Sequence, residues 1–378
     1  MDDFTSALYL GLRHATTAIQ PWQHLTTGVP AALYEPASHR HLASELARMQ
    51  GLEKGVLAPS SLHLFWDVLG KLTKNTLVLA DEKVYQITRW GLERAACRGV
   101  TVAYFAHHSP AGLVQQLQQH GPFRHLVVIT DGWCPHCGRA APLPAYLALA
   151  RKHHGLLLLD DTQALGVLGD RPTRQCPYGA GGGGLLKWYG LRGQDIITVC
   201  SLAKGFGVPI AVLAGSTNRV NDFLKRSDTR VHCSPASAAH VQAALHALSV
   251  NRNKGDKLRR KLLQRVQLFK QLLAAQGLQT LGGFFPVQTL ASTGGMAPQL
   301  LHQKLRERGI RALLLEPHAA TGTPVLAFCL SAAHTLSQLK RVAACLSQIL
   351  HPSHQKESTY GFYTYTNAVR KPVQAGMA

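Results

Sequence analysis

Between about residues 50 and 250 the chain is punctuated by short apolar runs: Thr76–Ala80, Val100–Phe105, His125–Thr130, Gly155–Leu159, Asp195–Cys200 and Val208–Ala214. Helical patterns such as Pro110–Gln119 and Leu143–His153 separate several of them. A near-continuous apolar run has no solvated face, so it suits a strand covered on both sides. Strands joined by helices make such a sheet mainly parallel. The spacing therefore predicts an α/β fold. Ligands of such sheets bind beyond the carboxyl ends of strands, so the chemistry is sought just after each run.

Beyond residue 250 the pattern changes. Asp256–Ala275 reads as a long amphipathic helix. Strand candidates Phe285–Leu290, Ile310–Leu315 and Val325–Leu330 follow, with helices near Gln299–Arg308 and Thr335–Leu350. The expected organisation is an N-terminal segment (1–50), a large α/β domain (51–250), a smaller α+β domain (251–351) and a polar tail (352–378). That tail, with Tyr360, Phe362, Tyr363 and Tyr365, is expected to be flexible. A length of 378 residues suits two or three units, and a hydrophobic share of 46% excludes a disordered chain.

Lys and Arg number 40 against 20 acids, a formal charge of +20. Only 16% of residues are charged, so the excess reflects scarce acids rather than basic runs; it leaves room for an anionic substrate, cofactor or partner. Lys254–Lys270 is basic, but Leu258, Leu262, Val266 and Phe269 fall on one helical face, which reads as a solvated helix rather than a nucleic-acid reader. No apolar stretch approaches the roughly 18 residues of a membrane helix. Met1-Asp2-Asp3-Phe4 lacks the basic flank of a signal peptide, so a cytoplasmic protein is expected. Eight irregularly spaced cysteines make no disulfide framework.

Two strand ends carry the chemistry. Gly155–Leu159 runs into Asp160-Asp161-Thr162-Gln163, and Asp195–Cys200 runs into Ser201-Leu202-Ala203-Lys204-Gly205-Phe206-Gly207. A third run, Thr76–Ala80, is followed by Asp81 and Tyr85. A lysine and a carboxylate at the ends of strands in one sheet can face one crevice. Pyridoxal phosphate chemistry needs that pair: an amine to join the cofactor aldehyde, and an acid to keep the pyridine nitrogen protonated.

These segments resemble the fold-type I pyridoxal-phosphate enzymes of the class-II aminotransferase and α-oxoamine synthase group. Thr130-Asp131-Gly132 through Ala141-Pro142-Leu143 is similar to that group's T-E-G…A-P-L segment, and Asp160–Gly169 to D-D-A-H-x-x-G-V-x-G. Ser201–Gly207 resembles T-x-x-K-G-F-G, and Ser331-Ala332-Ala333-His334-Thr335 matches S-A-A-H-T. The resemblance runs from about Tyr9 to Leu350. It implies a large parallel-sheet domain with a smaller α+β domain, pyridoxal 5′-phosphate as cofactor, and a homodimer. It makes Lys204 the Schiff-base lysine and Cα base, and Asp160 the partner of the ring nitrogen. Ser201 would donate to the phosphate. Tyr85 takes the place of the ring-stacking aromatic. Ser60 and Ser61 fall where backbone amides hold the phosphate, before a helix at Leu62–Leu72. Ser234 falls where the group reaches the neighbouring subunit's phosphate.

Several positions depart from the group. Gln163 stands where a histidine meets the ring hydroxyl; glutamine fills this role in cysteine desulfurases. The R-x-R of the synthases, whose arginine clamps a substrate carboxylate, is Val325-Leu326-Ala327 here, with Arg13, Arg89 or Arg230 as replacements. The N-x-Y-L-G-L element reads Ala7-Leu8-Tyr9-Leu10-Gly11-Leu12, and the synthases' glycine-serine loop is replaced by Thr26–Leu33.

Cys134-Pro135-His136-Cys137 matches the C-x-x-C of thiol oxidases, but a redox role needs a helix N-terminus in a different fold. Zinc needs a second ligand pair, which is not evident nearby in the sequence, so no metal site is expected and the loop is read as shaping the cofactor pocket. Gly181–Gly184 lacks the ending of a phosphate loop and reads as a surface loop. The sequence thus predicts a transferase acting on a small amino substrate through an external aldimine and a quinonoid. It is aminotransferase-like, with decarboxylative acyl transfer from an acyl-CoA or acyl-carrier thioester as the alternative and a non-catalytic scaffold as another. Neither nucleic acid nor membrane is an expected partner.

Overall fold

The computed structural model describes residues 1–315 and 323–351. The polar tail expected from residue 352 lies outside the described residues. A seven-stranded sheet is built from β1 (Lys54–Ala58), β2 (Thr76–Asp81), β3 (Thr101–Phe105), β4 (His125–Asp131), β5 (Leu156–Asp160), β6 (Ile196–Ser201) and β7 (Ala211–Gly215), in the order β1-β7-β6-β5-β4-β2-β3. All neighbours pair in parallel except β7, which is antiparallel to both β6 and β1. The near-continuous apolar runs are explained by burial: every residue of β2, β5 and β7 is buried. The mainly parallel α/β fold expected from the sequence is the fold observed.

Helices cover both faces. Among them are α1 (Ala37–Gln50), α2 (Ser61–Gly70), α3 (Gln86–Cys97), α4 (Pro110–Gln119) and α5 (Leu143–Lys152). Leu77, Leu79, Val128, Leu157 and Leu159 point into one core with Tyr146 and Leu147, while Val78, Val127, Ile129 and Leu158 pack on the other face with Phe65 and Leu69. Strand order reverses between β2 and β4: the chain leaves β2 for β3 at the edge, then returns to place β4 on β2's other side. This is the switch point where open α/β sheets bind ligands.

The long helix Ala238–Ala274 leads to a second, antiparallel sheet: β8 (Thr280–Leu281), β9 (Val287–Leu290), β10 (Leu313–Leu315) and β11 (Val325–Cys329), in the order β8-β9-β11-β10. The N-terminal segment ties into it. Asp2 and Asp3 pair in parallel with Ile310 and Arg311, and the Cys329 amide donates to Phe4 O at 2.7 Å. Residues 5–9 then cross toward the carboxyl edge of the large sheet. No described helix is long and apolar enough to cross a membrane.

Candidate active site

The carboxyl ends of β2, β4 and β5 each carry an aspartate: Asp81, Asp131 and Asp160. These strands are adjacent, and Asp131 and Asp160 are register partners across the β4–β5 pair. Lys204 follows β6, the next strand. All four line one cavity of about 500 Å³, a size suited to a small molecule. Its opposite wall is largely apolar: Ala7 from the N-terminal segment, with Val287, Leu313, Leu315 and Cys329 from the smaller sheet.

Burial sets the charges. Desolvation pushes Asp160 up from the ordinary carboxylate range, against hydrogen bonds from Thr162 and the charge of Lys204. The Thr162 amide donates to Asp160 Oδ1 at 3.0 Å. Asp131 is pushed well up by desolvation and then by the charges of Asp160 and Asp81; Lys204 pulls the other way. The Tyr85 amide donates to Asp131 Oδ2 at 3.0 Å, while Asp131 Oδ1 is buried without a protein partner. Lys204 is held below the usual ammonium range by desolvation, although Asp160 and Asp131 favour its charge. A lysine biased toward its neutral amine is a better nucleophile and base.

Of the residues expected to hold the cofactor, Lys204, Asp160, Gln163, Tyr85, Ser61 and Ser201 all line this cavity. The Gln163 amide oxygen accepts from the buried Tyr9 hydroxyl at 2.6 Å, which directs its amide nitrogen elsewhere as a donor. Ser60 stands outside the lining, at the N-cap of α2, with Oγ 2.9 Å from His63 Nδ1. That helix start has no side-chain cap, so its first-turn amides remain available to an anion. It begins at Ser61 and ends at Gly70, slightly offset from the expected span. Ser234 is exposed and does not line this chain's own cavity.

The replacement arginines do not reach the site. Arg230 pairs with Glu35 at 3.4 Å and donates to Ala31 O. Arg89 is turned onto Val84 O, Glu82 O and the Tyr104 ring. Arg13 is exposed outside the lining. Lys83, two residues past β2, does line the cavity. Neither it nor Asp131 stands out in the sequence as a site residue, although Asp131 lies in the Thr130–Leu143 segment and obeys the same strand-end rule as Asp160. Tyr9, Thr162 and Cys329 also line the cavity.

The cysteine loop is where the structure departs most from the sequence reading. Cys134, Pro135 and His136 line the cavity while Cys137 stands behind it, and a second pair of metal-type side chains is close by. His107 and His108, in the loop after β3, approach Cys137 Sγ at 3.3 and 3.7 Å. His107 Nδ1 lies 2.7 Å from Asp81 Oδ1. The Cys134 thiol, and behind it His107 and His108, hold Cys137 well below the usual thiol range against desolvation. Burial alone would lower His107, but its bonds to Asp81 and Cys137 outweigh it and lift it to about 9.

The group fits the residues present. An amine and a buried acid face one cavity, an orphaned carboxylate oxygen awaits a partner, and an open helix N-terminus adjoins the lining residue Ser61. The model of the class I and II aminotransferase family matches residues 9–346. An 8-amino-7-oxononanoate synthase of Thioalkalivibrio sulfidiphilus is 26% identical over 318 residues, covering 84% of this chain and 78% of the relative. Serine palmitoyltransferase from Sphingomonas wittichii superposes with a TM-score of 0.79 at 17% identity, over 92% of this chain and 86% of that one. An 8-amino-7-oxononanoate synthase from Francisella tularensis gives 0.71 at 19% identity, over 94% and 99%.

Proposed function

The chain belongs to the class I and II aminotransferase family, a pyridoxal-phosphate-dependent transferase, and on that premise we propose that it condenses an amino acid with an acyl thioester. The amino acid loses its carboxylate as carbon dioxide, its Cα bonds to the acyl carbon, the thiol leaves, and one proton is taken up. The observation that carries the transferase chemistry is the pairing of a desolvated Lys204 with buried Asp160 at neighbouring strand ends. The acyl branch is supported by the curated relatives, which are named as synthases across most of their length. It is supported too by the largely apolar wall opposite Lys204.

Bound pyridoxal phosphate supplies an electron sink for the bonds at Cα. Lys204 would be the amine that anchors it, and its desolvated nitrogen would hold and return the proton at Cα. Asp160, buried at the end of β5, would face the ring nitrogen and keep it protonated. Gln163, oriented by Tyr9, would donate to the ring hydroxyl. Tyr85 covers the ring face. Ser60, Ser61, Ser201 and the start of α2 hold the phosphate, with Ser234 supplied by a second copy of the chain. Lys83 takes the place of the missing arginine toward the substrate carboxylate. The assembly is a homodimer of the cytoplasm; eight free cysteines suit a reducing compartment.

The test compares purified protein with Lys204→Ala after adding pyridoxal phosphate. A visible band of lysine-bound cofactor, fixed by borohydride onto Lys204 and absent from the variant, is expected. Amino-acid panels are then run with and without acyl-CoA. Thiol release and carbon dioxide that require both substrates support acyl transfer. Pyridoxamine phosphate accumulating without thioester would instead place the chain on the aminotransferase branch.

A further inference from the structure

The four side chains beside the cofactor cavity have the chemistry of a tetrahedral zinc centre. Cys134 and Cys137 belong to a tight hairpin whose two-residue arms pair Trp133 with Ala140 and Cys134 with Arg139. The Gly138 amide closes the turn on Cys134 O at 2.9 Å. Gly138 has φ +66 and presses against Gly282, so only glycine fits there. Within the turn the amide of Cys137 donates to Cys134 Sγ at 3.5 Å, and that of His136 also points at this sulfur. Consecutive backbone N–H groups aimed at one sulfur form the kind of concavity that also surrounds sulfur in metal clusters. A thioredoxin-type site instead puts its first cysteine at a helix start, which this hairpin lacks.

The second pair arrives from β3. His107 Nε2 and His108 Nδ1 lie 3.3 and 3.7 Å from Cys137 Sγ, and the three ligand atoms lie within 4.8 Å of one another. Zinc bonds of about 2.3 Å to sulfur and 2.0–2.1 Å to nitrogen, at tetrahedral angles, place ligand atoms roughly 3.3–3.8 Å apart. Both distances to Cys137 Sγ fall on such edges. The remaining nitrogen of His107 meets Asp81 Oδ1 at 2.7 Å. Asp81 is itself held by the amides of Lys83 and His108, each at 2.9 Å. A carboxylate behind a ligating histidine fixes the tautomer that offers Nε2 to metal.

We propose that His107, His108, Cys137 and Cys134 bind one zinc ion, with Asp81 orienting His107. Four protein ligands leave no open position, so the ion fastens the hairpin to the loop after β3. That hairpin carries Trp133, Pro135 and His136 on the cavity wall, so the ion holds one side of the substrate space in place.

Metal content of the purified full-length protein is measured by elemental analysis, with and without its organic cofactor. One zinc per chain is expected. Replacement by cobalt(II) should give thiolate charge-transfer bands and the intense d–d bands of a tetrahedral site. Cys134→Ser and Cys137→Ser should lose the zinc, and Asp81→Asn should weaken it about 10–100-fold. His108→Ala tests the histidine pair while leaving the hairpin intact; it should lower affinity at least tenfold in a protein that still shows the lysine-bound cofactor band. A folded wild type with substoichiometric zinc overturns the proposal, as does a Cys134–Cys137 disulfide recovered after anaerobic purification. Zinc retained in Cys134→Ser overturns the four-ligand assignment. None of these readings depends on which transfer reaction the cavity performs.

Discussion

Asp131 and Asp160 face each other across a strand pair and are both pushed above the usual carboxylate range, chiefly by burial. A raised carboxyl pKa has a definite sign for stability. The cost is absent below the unfolded value near pH 3.9 and grows as pH rises through the folded value. Asp131 adds an orphaned buried oxygen to that cost. Asp131→Asn should therefore stabilise the cofactor-free protein at neutral pH by about 1–3 kcal/mol in urea unfolding, on the scale of one poorly compensated buried polar group. The gain should vanish below about pH 4, where both side chains are neutral. A gain that persists unchanged in acid would assign it to packing. Lys83 gives a second residue-scale test. Lys83→Met should raise KM for the amino substrate about tenfold or more and leave the lysine-bound cofactor band in place, since the lost group meets substrate rather than cofactor. An unchanged KM would send the search for the carboxylate partner elsewhere.

At the scale of elements, the site was legible because strand ends can be read from apolar runs. Asp160 and Lys204 both follow such runs closely, and Asp131 obeys the same rule. What the sequence hides is which strands are neighbours. β1, Lys54–Ala58, begins with a charged residue and a glycine and gives only three apolar residues in its five, too few for the pattern to register. β7 reads like its parallel neighbours because burial on both faces yields the same composition whichever way the strand runs. The long helix starts at Ala238 rather than Asp256, since its first half is rich in alanine and histidine and shows no clean apolar stripe. The histidine pair is the sharpest case. His107 and His108 lie some thirty residues before Cys137 in sequence and meet it only because the chain crosses from β3 back over β2 to β4. Element ends also make a stability prediction. Thr335 caps helix Leu336–Leu350 in a reciprocal capping box with Gln338. Thr335→Ala should cost about 1 kcal/mol in thermal or urea unfolding and leave cofactor binding unchanged.

At the scale of the whole molecule, one face gathers exposed large apolar side chains. Leu62 and Trp66 on α2 and Trp90 on α3 are exposed large apolar side chains, with Tyr85 at the start of α3 beside them in sequence. They adjoin a hollow that includes Arg94, Thr229 and Cys233, and Arg94 stacks over the Trp66 ring at 4.1 Å. Exposed tryptophans gathered around one hollow are characteristic of an association surface rather than a solvated face. Ser61 and Tyr85, which line the cofactor cavity, start the same two helices, and Ser234 follows Cys233 directly. A second copy seated here would cover the tryptophans and bring its Ser234 toward the neighbouring phosphate site. Association and cofactor retention should then fail together. Sedimentation of the wild type should give a dimer, and Trp66→Glu combined with Trp90→Glu should give a monomer that binds pyridoxal phosphate at least tenfold more weakly. Ser234→Ala should keep the dimer while lowering cofactor affinity, which separates loss of the serine from loss of the partner. A monomeric wild type with full cofactor affinity would sink the dimer and return this apolar face to the search for another occupant.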